Sequence, residues 1–90
     1  MSSKDILQFR AREYKAKMNG HVYRHFKGNY YEVLNVGVHS ETEELVVIYK
    51  STNAKGDDDV WVRPLKNFLS EVDHKKYPDV EQKMRFERVD

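Results

Sequence analysis

The sequence predicts a mainly β fold with added α structure: a small five-stranded barrel, preceded by an N-terminal helix and with a short helix before its last strand. Three observations lead there. The stretch from Val22 to Tyr49 holds three runs dense in Val, Ile, Leu, Tyr and Phe, separated by two turn-forming gaps, the pattern of an antiparallel meander. Two further β-rich runs, Val60 to Arg63 and Met84 to Val89, follow it. Ahead of it, Leu7, Ala11, Tyr14 and Met18 recur at helical spacing. The reading divides the chain into a helical arm at residues 1–19 and a barrel at residues 20–90.

Length and composition limit the function classes. Ninety residues suffice for one domain with a small core. A charged fraction of 34% against 39% hydrophobic would suggest weak burial, but eleven aromatic residues supply enough apolar area to exclude global disorder. With no cysteine there is no disulfide framework, thiolate metal site or cysteine nucleophile, which fits a reducing compartment. No apolar run approaches the roughly 20 residues that span a bilayer, and the first residues lack the apolar core of a secretory signal. A cytoplasmic protein without a membrane association is expected.

The net charge of +1 hides segregation. Met1 to Gly28 carries seven Lys/Arg against Asp5 and Glu13, whereas Asn29 to Val60 carries seven acids against Lys50 and Lys55. The basic arm can bind a polyanion, or dock on the acidic half of its own fold or of a second copy.

In chain order, Ser2 or Ser3 caps a helix with Asp5 in its first turn, and Asn19-Gly20 ends it near Met18. Phe9 and Tyr14 are read as anchors of this helix. Val22 to Phe26 is the first strand, and Lys27-Gly28-Asn29 a reversal. Tyr30 to Val38 changes phase: Tyr31 and Val33 share one parity, Leu34, Val36 and Val38 the other. Side chains alternate faces with period two, so a bulge or bend is required, of the kind that lets one strand serve two sheets. Leu45 to Tyr49 is apolar throughout and is expected to be covered on both sides. Val60 to Arg63 places Val60 and Val62 on one face and Trp61 and Arg63 on the other. Pro64 ends the ladder and opens a helix from Leu65 to Val72. A polar connector, Asp73 to Gln82, precedes the last strand. The expected core is Val22, Phe26, Val33, Leu34, Val36, Val47, Val60, Val62 and Phe86.

This order of elements resembles a Src-homology-3-like small barrel with an extra helix. Tyr23 to Asn29 (Tyr-Arg-His-Phe-Lys-Gly-Asn), Tyr31-Glu32-Val33-Leu34, His39-Ser40-Glu41-Thr42, Trp61-Val62-Arg63-Pro64 followed by Phe68, and Arg85-Phe86 resemble the bacterial family known as domain of unknown function 1653. The resemblance runs from about Tyr23 to Phe86. It implies a small barrel-like fold and no established activity.

The chemistry-bearing residues form weak constellations. His39, Ser40 and Glu41 offer a base, a hydroxyl and a carboxylate, but adjacent residues rarely converge on one point, and a loop shaped by side-chain to backbone bonds explains them. His21, His25 and His39 lack the spacing of a zinc site, and Asp57-Asp58-Asp59 lacks the alternation that wraps calcium, so no metal or cofactor is expected. Tyr23 with His25, and Trp61 with Arg63, share faces by strand alternation and would form a surface suited to stacking and anion binding. The competing expectation is that Trp61 plugs the barrel end while Arg63 pairs with Glu32 or Glu41. The sequence thus favours a non-catalytic module that binds a peptide or protein through Tyr23, His25, His39, Glu41, Trp61 and Arg63. RNA binding and a small enzyme using His39 and Glu41 are the alternatives. A homodimer through the N-terminal helix is a further expectation, because a helix of this length is marginal alone in water.

Overall fold

The computed structural model describes residues 3–52 and 59–90, so most of the acidic stretch before Val60 lies outside the described residues. Helix α1 spans Ser3–Met18 and is followed by Gly20 at φ 80°. Its predicted face is the packed one: Ala11 and Met18 are buried, Tyr14 packs beside them and Leu7 is half-buried. Phe9 is 57% exposed and stands outside the core cluster of the described residues.

The strands are β1 (Val22–His25), β2 (Tyr30–Val38), β3 (Leu45–Ser51), β4 (Val60–Pro64) and β5 (Phe86–Arg88), with α2 (Leu65–Phe68) after β4. They form one antiparallel sheet in the order β4-β3-β2-β1-β5. The predicted meander is its centre, and Gly28 at φ 104° makes the predicted reversal between β1 and β2. The sheet is open rather than a closed barrel, which corrects the sequence reading. It is nonetheless strongly curled: the Arg63 guanidinium on edge strand β4 lies 5.3 Å from the centre of the Phe86 ring on the opposite edge, β5. Phe68 of α2 occupies the gap between the edges. Its ring stacks on Phe86 at 4.0 Å and meets Tyr23 and Tyr49 edge-on at 5.3 and 5.5 Å. An aromatic side chain thus takes the place of a closing ladder.

Directly opposed residues in an antiparallel pair share a face, and the register fixes which. Tyr23 opposes Tyr31, His25 opposes Phe86, Val33 opposes Tyr49, and Tyr49 opposes Trp61. The predicted phase change is a bulge between Val33 and Asn35. It does not split β2 between two sheets; it brings Val33 and Val36, both fully buried, onto one inner face with Val47. α1 packs over β2, and α2 over β3 and β4.

The same register corrects the core. Ile48 opposes Val62 and Lys50 opposes Val60, so both valines lie on the outer face, 62% and 51% exposed, and Leu34 is exposed at the bulge. β3 is therefore buried on its inner side only, Val46 and Ile48 being half-buried. Leu65, Phe68 and Val72 take the core places assigned to the β4 valines. α2 is shorter than expected because Ser70 bonds back to the Asn67 carbonyl and the chain then pairs with the run into β5. Arg85 N–H donates to Ser70 O at 2.8 Å and Val72 N–H to Lys83 O at 2.9 Å. Met84 accordingly sits in an isolated bridge with Glu71, and β5 begins at Phe86.

Two substitutions separate the inner and outer faces. Phe68→Ala is expected to cost about 3–5 kcal/mol, most of the stability of a domain this small. Val62→Asp should change stability by no more than about 1 kcal/mol, since the side chain stands in water. Urea unfolding followed by circular dichroism measures both; a Val62→Asp chain that fails to fold would contradict this register.

Candidate functional site

The curl leaves a pocket of about 420 Å³ at one end of the inner face. Its floor is aromatic, made by Tyr31, Tyr49 and Phe86, and its rim is cationic, made by Lys27, Arg63, Lys76 and Arg85. Asp73 is the one carboxylate in the lining. Arg63 reaches it from β4 along a fixed path: Nε donates to the Tyr49 hydroxyl at 3.0 Å and Nη1 to Asn67 Oδ1 at 2.7 Å, with the guanidinium over Phe86. Neither partner is charged. Among the described residues no carboxylate lies within ion-pair distance of Arg63, which corrects the expected pairing with Glu32 or Glu41; Glu32 faces Lys50 instead.

Arg85 is held in the same manner, Nε donating to Ser70 Oγ at 3.1 Å. That hydroxyl donates in turn to the Asn67 carbonyl at 2.6 Å. α2 and the turn after it therefore position both arginines. The remaining wall comes from the connector, which is ordered by local bonds. Asp73 Oδ1 accepts the N–H groups of Lys75 and Lys76, and Tyr77 N–H donates to Asp73 O at 2.9 Å. Gln82 Nε2 ties the connector to β1 through the Arg24 carbonyl at 3.0 Å. Tyr77 packs on Phe26 at 5.0 Å between ring centres, and the Lys27 and Lys76 ammonium groups lie 5.7 and 5.5 Å from the Tyr77 ring.

His25 sits among these cations. Burial, then Arg63, Arg85 and Lys27, push its pKa down to about 4, so the imidazole is neutral at neutral pH. Nδ1 accepts the Lys27 N–H at 3.1 Å, which leaves the proton on Nε2 as a donor. Its ring lies against Phe26 and Phe86.

Of the sequence-predicted site residues, His25 and Arg63 meet in this pocket. Trp61 lies next to it, 55% exposed, on a shelf of about 190 Å³ shared with Tyr31, Tyr49 and Arg63; it plugs nothing. Tyr23 is a core residue, 8% exposed and edge-on to Phe68, and burial raises its phenol pKa. His39 and Glu41 lie elsewhere, in the β2–β3 loop. His39 Nδ1 accepts the N–H groups of Glu41 and Thr42, both at 3.1 Å, so the imidazole shapes the loop. His21 faces Asp90 at 3.3 Å, and among the described residues no three His, Asp or Glu side chains converge on a metal position. The sequence reading missed Lys76, Tyr77 and Arg85 as site residues. The adjacent Lys75-Lys76-Tyr77 run and the Arg85-Phe86 motif were the available signals, but connector residues without periodicity could not be placed.

The residues that line this pocket all fall inside the part of the chain with recognisable relatives. The family described as protein of unknown function (DUF1653) matches residues 21–88. The crystal structure of a DUF1653 protein from Bordetella bronchiseptica is similar, with 30% sequence identity and a TM-score of 0.65 over 82% of this chain and 90% of that one. No match was found among curated proteins. Since the match spans all five strands and the whole pocket lining, the chain belongs to the DUF1653 family.

Proposed function

We propose that the protein is a non-catalytic binding module whose site is the His25/Arg63 pocket, and that it recognises an anionic group, a phosphate or a carboxylate, carried by its ligand. The observation that carries this reading is the state of Arg63 and Arg85: each is fixed by neutral acceptors and neither has a carboxylate partner among the described residues. A partly buried guanidinium held rigid by uncharged groups keeps its charge and its free N–H donors for a ligand, and such preorganised donors are what anion recognition requires. The neutral His25 adds an N–H donor, and the aromatic floor gives the ligand an apolar base. Among the described residues no serine, threonine or cysteine lines the pocket with His25, which supports binding rather than chemistry. We read the curled sheet as an opened small barrel, supported by the contact between Arg63 and Phe86 across its edges.

A second reading, binding of an extended peptide, is favoured by one observation: β4 is an edge strand with Val60, Trp61 and Val62 all exposed. Strand addition there would place alternate side chains on the Trp61 shelf.

Calorimetric titration with inorganic phosphate tests the first reading. Arg85→Gln should weaken binding about tenfold or more, the worth of a charge-assisted hydrogen bond, in a chain that circular dichroism shows to be folded. Equal affinity in wild type and variant would count against the pocket.

The depressed pKa of His25 has a consequence for stability. The unfolded chain binds a proton near pH 6.5 and the folded chain only near 4. Above pH 6.5 both states are neutral at this residue; as pH falls from 6.5 toward 4 the unfolded state gains protons first and the folded state loses stability. Melting temperatures across that window should fall more steeply for the wild type than for His25→Gln, and parallel curves would refute the shift. Phosphate should move the His25 titration, followed by NMR, back toward 6.5.

A further inference from the structure

The Trp61 shelf gives the anion pocket a second half. Tyr31, Tyr49 and Arg63 line both, so the two concavities adjoin. The register places Trp61 directly opposite Tyr49 on the inner face. Its indole is more than half exposed and, among the described residues, makes no ring contact and no hydrogen bond, unlike the interlocked rings of the floor. An exposed, unpartnered indole beside a cationic cavity is a stacking platform next to a charge clamp. The clamp itself is richer than one carboxylate requires. Two guanidinium and two ammonium groups against one aspartate suit a phosphate monoester, which carries about −1.5 to −2 at neutral pH and three acceptor oxygens.

We propose that the ligand is a nucleotide, with its phosphate held in the His25/Arg63/Arg85 pocket and its base stacked on Trp61. This inference rests on the anion-binding reading above and adds the base to it. The shared chemistry, a phosphate with an attached base, can come from a free nucleotide or from one unit of a single strand.

The protein has a single tryptophan, so emission excited on the red edge of the absorption band, where its six tyrosines absorb little, reports on the shelf. Adenosine 5′-monophosphate should quench or shift that emission, while ribose 5-phosphate should bind without doing so. By calorimetry, adenosine 5′-monophosphate should bind roughly tenfold or more tightly than ribose 5-phosphate, the contribution of one base stack. Trp61→Ala should abolish that advantage and leave ribose 5-phosphate affinity unchanged. The increment seen with the mononucleotide supports a free nucleotide as ligand; the same Trp61-dependent increment seen only with a short single-stranded oligoadenylate supports a polynucleotide unit. Equal affinities for the adenosine and ribose phosphates, or equal weakening of both by Trp61→Ala, overturn the nucleotide assignment while the anion pocket stands. No binding of any of these phosphates overturns the nucleotide assignment, and no binding of acetate either overturns the anion pocket as well.

Discussion

The stack of Phe68 on Phe86 is the contact on which the rest of the structure depends. A five-stranded sheet with free edges at β4 and β5 leaves its inner face open, and neither edge can satisfy it alone. Phe68, fully buried, bridges the gap by meeting rings from β1, β3 and β5 at once. A large aromatic is suited to this because it buries about 150–250 Å² and tolerates both stacked and edge-on neighbours. The four-residue helix that carries it would not persist by propensity; tertiary packing makes it.

That arrangement couples the core to the site. The side chain before Phe68, Asn67, accepts from Arg63, and the turn just after it supplies Ser70 to Arg85. Two arginines, one on β4 and one just before β5, are thus fixed by one turn of backbone whose position is set by a buried ring. Rigid cations without acidic partners are costly to a fold, since their mutual repulsion is not offset by ion pairing. Their cost is lowered here by neutral hydrogen-bond acceptors, by the Phe86 ring under Arg63 and by a His25 that gives up its own charge. The stability the core supplies is what allows the pocket to remain cationic.

The sequence made the meander, the β2 bulge, the packed face of α1 and the Gly28 reversal legible, because each follows from local periodicity or backbone conformation. It misplaced the β4 valines for an identifiable reason. Apolar residues were assigned inward and Trp61 and Arg63 outward, which is the usual arrangement. Here Arg63 points inward because Tyr49 and Asn67 await it there, and those partners lie 14 and 4 residues away in sequence. Closure was misjudged similarly: the order of strands is local information, whereas whether edges pair or are bridged by Phe68 is not. The same limit hid Lys76 and Arg85, whose places depend on a connector without periodicity.

A near-neutral net charge does not weigh against a local anion site. Screening at physiological salt has a length of about 8 Å, so a ligand in a pocket responds to the groups that line it and hardly to a charge at the far end of the chain. Four cations and one carboxylate around a cavity with an aromatic floor make a local field that net charge does not report. The same reasoning limits what the field can hold. The four cations of the pocket surround one concavity, whereas a long nucleic acid needs a track of contacts along its backbone. In the proposed reading the pocket therefore takes a single compact anionic group, and selectivity beyond charge comes from what lies within reach of that group, where Trp61 is an exposed neighbour.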